Sequence, residues 1–186
     1  MNRREAVQSI GLLLGGTIVG SSAFLSGCKT STGKDQGFTA EDIAYLNEVG
    51  DTILPATATP GAKAANVGQF MTVMVNDCYD ESQQKVFRDG LKKLNDASDK
   101  AYNMEFMKLD QKQRHDLLVT LDTEQKAYMK TKKKEDPSHY FRMMKELTML
   151  GYFTSEIGCT QARRYKETPG KFEGCVPYTK GDKAWA

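Results

Sequence analysis

A chain of 186 residues with 26 Lys and Arg against 24 Asp and Glu has a net charge of only +2. That balance gives no basis for expecting nucleic acid as a partner. The length suits one domain around one core, with nine Met, eight Phe and eight Tyr available to fill it.

The first 27 residues read as a signal peptide. Arg3 and Arg4 provide a charged start, Ile10 to Leu25 an apolar run, and Leu25-Ser26-Gly27-Cys28 a small-residue cleavage site. The adjacent Arg3 and Arg4 match a twin-arginine export signal, although the second residue after them, often Phe, is Ala6. Leu-Ser-Gly-Cys has the form of a bacterial lipobox, which makes Cys28 the lipidated first residue of the mature chain. The apolar run holds 16 residues, among them Gly11, Gly15, Gly16, Gly20, Ser21 and Ser22. A bilayer span needs a run of about 20 residues, more apolar than these, so the expected anchor is lipid on Cys28 rather than a helix. The mature protein is then expected in the bacterial cell envelope, facing the periplasm. Residues 28–37 are polar and form a tether, and residues 38–186 form the domain.

Five helices are legible in that domain. Thr39 is placed to cap the first, with Glu41 and Asp42 in its first turn and Phe38 able to staple onto Ile43. Pro55 ends it, and 55–65 is a loop punctuated by Pro60-Gly61. A second helix carries Val67, Phe70, Met71, Met74, Val75 and Cys78 on one side, a stripe that reads as core. Asp80 with Gln83 forms a capping-box signature for the third helix, whose apolar face is Val86, Phe87, Leu91 and Leu94. Asp110 with Gln113 repeats the device for a fourth, which shows Leu117, Leu118 and Leu121 and runs into Lys130 to Lys134. Those lysines read as a solvated helix end that complements the helix dipole.

Pro137 and Ser138 open the most apolar helix, which reaches Ile157 with Gly158 as its cap. Apolar residues surround it on almost every side, the pattern of a central helix. Beyond Tyr165 no helical period remains, and the tail must lie over the surface or over a partner. The fold class is therefore all-α, a single bundle of about five helices with an irregular C-terminal tail.

Catalytic signals are sparse. No Cys-x-x-Cys-His haem site and no phosphate-cradling glycine motif occurs, and the glycine-dense stretch Gly11 to Gly20 belongs to the signal. His115 and His139 stand on different helices, too few ligands for a metal site, and both read as structural. No catalytic, cofactor-binding or metal-binding residue is assigned to the chain. With Cys28 committed to lipid, Cys78, Cys159 and Cys175 allow one disulfide and one odd thiol, with three pairings open. Export of folded proteins serves cofactors loaded inside the cell. A chain with no evident cofactor gains from that route by carrying a folded, cofactor-loaded partner.

Several short segments resemble the small subunit, subunit 3, of flavin-dependent gluconate 2-dehydrogenases and related sugar dehydrogenases. They are Ile53-Leu54-Pro55 with Thr59-Pro60-Gly61-Ala62, Asp77-Cys78-Tyr79, the run from Leu147 to Gly158, and the tail from Pro169 to Tyr178. The resemblance implies a complex in which a large subunit holds FAD and oxidises a sugar or sugar acid, and a haem-bearing cytochrome subunit passes electrons on. The small subunit has no redox centre and supports export, maturation or stability of the flavin subunit. The same resemblance implies a Cys78–Cys175 disulfide. It also implies docking of the flavin subunit on Tyr152, Phe153 and Glu156 together with the tail around Tyr165 and Tyr178. The competing expectation is a stand-alone envelope lipoprotein acting as a scaffold or ligand-binding module.

Overall fold

The computed structural model describes residues 37–168 and 170–186, so Arg3, Arg4, Cys28 and the tether up to residue 36 lie outside the described residues. From Phe38 onward the chain forms one compact unit of five helices. They are α1 (Ala40–Ile53), α2 (Val67–Cys78), α3 (Glu81–Tyr102), α4 (Gln111–Thr131) and α5 (Tyr140–Thr154). A 3-10 turn (Phe106–Lys108) precedes α4 and a π turn (Gly158–Ala162) follows α5. Among the described residues there is no β-strand, and one isolated bridge joins Arg164 to Trp185. The all-α bundle is thus as expected.

Three helices start on full capping boxes: Thr39 with Asp42, Asp80 with Gln83, and Asp110 with Gln113. Each box satisfies two backbone N–H groups that the first turn leaves without partners. Phe38 packs edge-on to Phe87 with ring centroids 6.0 Å apart, which fixes the entering chain against α3. The start of α2 is different. Asn66 is left-handed (φ 51°) and makes no side-chain cap; instead Asn47 of α1 accepts from the Gly68 N–H at 2.8 Å and donates to Asn66 at 3.1 Å. A cap supplied by a neighbouring helix ties the α1–α2 packing to the start of α2.

α5 is the central helix and touches all four others. Its inward residues Tyr140, Phe141, Met144 and Leu147 meet Leu46 and Val49 of α1, Met71 and Val75 of α2, Phe87 and Leu94 of α3, and Leu117 and Leu121 of α4 in one core. The buried stripe of α3 alternates large and small residues, Phe87, Gly90, Leu94 and Ser98; Gly90 admits Tyr140 of α5 closely, and Ser98 donates to the Met104 carbonyl at 2.7 Å. Buried Thr148 donates to the Met144 carbonyl at 2.8 Å, so its hydroxyl is satisfied within the helix.

The limits of α5 differ from those read in the sequence. His139, not Ser138, caps it, with Nδ1 accepting from the Phe141 N–H at 3.2 Å. The helix stops at Thr154 rather than Ile157. Ser155 adopts an extended backbone, donates to the Tyr152 carbonyl at 2.7 Å and accepts from the Gly158 N–H at 3.0 Å. A serine side chain here replaces backbone helix bonds and ends the helix. α4 likewise ends at Thr131, and Lys132 to Asp136 fold into a turn in which the Lys132 ammonium donates to the carbonyls of Lys133 and Asp136.

Candidate partner-docking surface

The five expected docking residues separate into two groups. Tyr152 is 5% exposed and belongs to the core; its hydroxyl donates to the Pro60 carbonyl at 2.7 Å and ties α5 to the loop 55–65. It is therefore withdrawn from any docking surface. The reason is geometric: at position 152 the helix still faces inward, and its ring meets Phe153 edge-on at 5.1 Å. Phe153 is half-buried and its ring lies beneath the Arg163 guanidinium, 4.9 Å away. Its carbonyl accepts from Arg163 at 2.8 Å and from the Cys159 thiol at 3.3 Å. Phe153 thus anchors the turn that follows α5.

Glu156, Tyr165 and Tyr178 are exposed, Tyr178 to 74%. Phe172 is 95% exposed and Val176 is half exposed, so every large apolar residue described in the tail faces solvent. Exposed aromatic side chains carried on one irregular segment make that segment the candidate contact surface. Arg164 and Trp185, which the sequence did not single out, hold the two ends of this segment together, the guanidinium lying 4.3 Å over the indole. The available signal was an Arg pair before a Pro- and Gly-rich tail with a lone Trp at its end.

The charged groups inside the bundle are structural. Glu48 of α1 pairs with Arg114 of α4 at 2.6 Å and with Lys63 from the loop. The Lys63 hydrogen bond, followed by the charges of Lys63 and Arg114, holds the Glu48 carboxyl below the usual range. Arg114 also donates to the carbonyls of Phe106 at 3.2 Å and Met107 at 2.7 Å, pinning the 3-10 turn to α4. Asp122 accepts from Lys126 and Lys145, and these hydrogen bonds lower its pKa to about 2. Burial pushes the phenols of Tyr45 and Tyr140 up, Tyr140 to about 12. The Tyr45 hydroxyl is buried without a partner at the edge of a shallow groove between α1 and α3, which Leu91 and Met107 also line.

His139 sits between the rings of Tyr128 and Tyr140, with centroids 5.7 and 4.5 Å away, and burial lowers its pKa. His115 lies exposed on α4 beside Asp116. Among the described residues no group of three or more His, Cys, Asp or Glu is placed to hold a metal ion. Cys78, at the last position of α2, is exposed rather than part of the core stripe. Cys78, Cys159 and Cys175 all carry free thiols, so the Cys78–Cys175 bond is not formed in this structure.

Fold and surface define a class: a small all-α bundle with a filled core and an aromatic tail turned to solvent. The family model for gluconate 2-dehydrogenase subunit 3 matches residues 40–170, from the first residue of α1 into the tail, and the chain belongs to that family. Its place is therefore with a dehydrogenase complex. No curated protein matches the chain, and no solved structure does.

Proposed function

We propose that this protein is the non-catalytic small subunit of a flavin-dependent gluconate or sugar dehydrogenase complex. In this reading it supports export, maturation or stability of the FAD-bearing subunit. The family match over residues 40–170 carries the reading. The exposed Tyr165, Phe172 and Tyr178 support it, because anchors of this kind bind best when buried at the centre of an interface. The docking surface is accordingly the tail with Glu156, and no longer includes Tyr152. Electron transfer onward belongs to other subunits, a haem-bearing cytochrome among them.

The envelope location belongs to the same proposal. The twin-arginine signal exports the flavin subunit already folded, with this chain as its escort, and lipid on Cys28 holds the assembly at the membrane. Deleting the gene tests the whole reading. The flavin subunit should then fail to reach the envelope or lose its flavin, and dye-linked sugar oxidation by membranes should fall at least tenfold. A flavin dehydrogenase that remains fully exported and active without this chain refutes the proposal. Cys28→Ser should separately release the protein from membranes or leave it unprocessed; equal fatty-acid labelling of variant and wild type refutes the lipid anchor.

A further inference from the structure

The tail is irregular in secondary structure but closed at its base. Arg164 and the last three residues meet as a short backbone pair: the Arg164 N–H donates to the Ala184 carbonyl at 2.8 Å, and the Ala186 N–H donates to the Arg164 carbonyl at 3.1 Å. Over this pair the Arg164 guanidinium stacks on Trp185, and its Nε is buried with no hydrogen-bond partner. The indole face is thus what receives that side of the cation, a contact that strengthens as water is excluded. One residue earlier, the Lys183 ammonium donates to the Gln161 carbonyl in the π turn. The chain returns to this point through a tight turn. Asp182 and Thr179 exchange hydrogen bonds of 3.0 Å, and Gly181 takes φ 99°, which an L side chain rarely adopts. Between the joined ends stand Phe172, Val176 and Tyr178, all exposed.

We infer that Ala184-Trp185-Ala186 is a clasp that closes the tail onto Arg164 and pre-sets Phe172, Val176 and Tyr178 for recognition by the flavin-bearing subunit. The inference rests on the docking reading above and adds how that surface is held. A free segment of this length loses backbone freedom at every residue that a partner orders. Joining its ends beforehand removes part of that loss from the binding step. The stack lies on Arg164, the second residue after the π turn, and its neighbour Arg163 is fastened to Phe153, so the clasp is referenced to the bundle itself.

Trp185 is the single tryptophan of the chain and reports on the clasp directly. In the full mature chain, Trp185→Phe should keep the clasp partly closed, whereas Trp185→Ala and deletion of residues 184–186 should open it. Far-UV circular dichroism and the melting temperature of the bundle should be unchanged in all three. Opening should raise the initial rate of tryptic cleavage at Lys171 and Lys180 at least tenfold. Affinity for the purified flavin-bearing subunit should fall about tenfold, which is about 1.4 kcal/mol. Unchanged cleavage overturns the clasp. Faster cleavage with unchanged affinity overturns its role in recognition. Phe172→Ala with Tyr178→Ala leaves the clasp intact and probes the docking reading separately. If this pair keeps slow cleavage but loses binding, docking by the tail stands. If it binds as wild type does, the docking reading fails and this inference with it.

Discussion

Gly68→Ala tests the packing that sets the bundle's geometry. A Cβ at position 68 meets the Ile43 carbonyl oxygen at 2.4 Å and the backbone nitrogen of Asn47 at 2.9 Å. Both obstacles are backbone, so no side-chain rotation relieves them and α1 must move from α2 by about 0.5–1 Å. A gap of that size forfeits a quarter to a half of each dispersion contact across the interface. Overpacking of this kind costs about 1–3 kcal/mol. Displacement also stretches the 2.8 Å bond from the Gly68 N–H to Asn47, a further loss of about 1 kcal/mol. Against these, alanine in a helix is favoured over glycine by about 1 kcal/mol. The expected net loss is about 1–3 kcal/mol.

Gly50→Ala is the control. There the nearest atom is a Val67 methyl at 2.6 Å, with Ala62 and Thr148 at 3.5 and 3.8 Å, and the backbone is not in the way. A methyl group yields by small shifts, so the expected net loss is about 1 kcal/mol. Urea unfolding followed by circular dichroism reads both variants as changes of midpoint at constant slope. Gly68→Ala as stable as wild type, or less damaging than Gly50→Ala, refutes the close backbone approach and with it the cross-helix cap.

Tyr152→Phe should cost about 1 kcal/mol through loss of the bond to Pro60, yet leave assembly with the flavin subunit intact; lost assembly at unchanged stability restores Tyr152 to the docking surface. Non-reducing peptide mapping of protein taken from the envelope tests the Cys78–Cys175 pairing that the resemblance implies against the free thiols of this structure; a Cys78–Cys175 peptide supports the pairing, and two unpaired thiols refute it. Stability should fall in acid over two windows. His139 has a depressed pKa in the folded state, so the unfolded chain takes up its proton first as pH drops below about 6.5, and stability declines from there until the folded histidine also protonates. His139→Asn supplies a capping oxygen in place of the imidazole Nδ1, without the titration, and should flatten the melting temperature as pH falls below about 6.5; an unchanged slope refutes the assignment. Asp122, at about 2 when folded, contributes fully above its ordinary value of 3.8 and loses that contribution as pH falls toward 2. Allowing for solvent screening, Asp122→Asn should cost about 1 kcal/mol at pH 7 and little at pH 2; an equal loss at both refutes the ion-pair origin.

What the sequence made legible follows from which interactions are local. The cap at Thr39 and the capping boxes at Asp80 and Asp110 are decided within four residues, and each helix starts where its cap places it. The apolar surround of α5 was likewise readable, because a helix that touches all the others needs apolar residues on most sides. The features missed depend on partners distant in sequence. Asn66 does not cap α2, and its substitute, Asn47, stands 19 residues earlier on another helix. Tyr152 reads as a surface aromatic near a helix end until Pro60, 92 residues away, takes its hydroxyl.

The tail shows the same division. Its lack of period was plain, and so was its supply of aromatic side chains, but the closure of its ends was not. Arg164 and Trp185 are separated by a stretch with no regular spacing, so no periodic signal links them. Their contact decides how the surface is presented. An open tail would bring Phe172 and Tyr178 to a partner as independent side chains, each ordered at the moment of binding. A closed one brings them as parts of one loop referenced to α5 through Arg163 and Phe153. Composition marks this segment as one that lies over a surface or over a partner; under the proposed docking, the pairing at its base makes the contact a directed one.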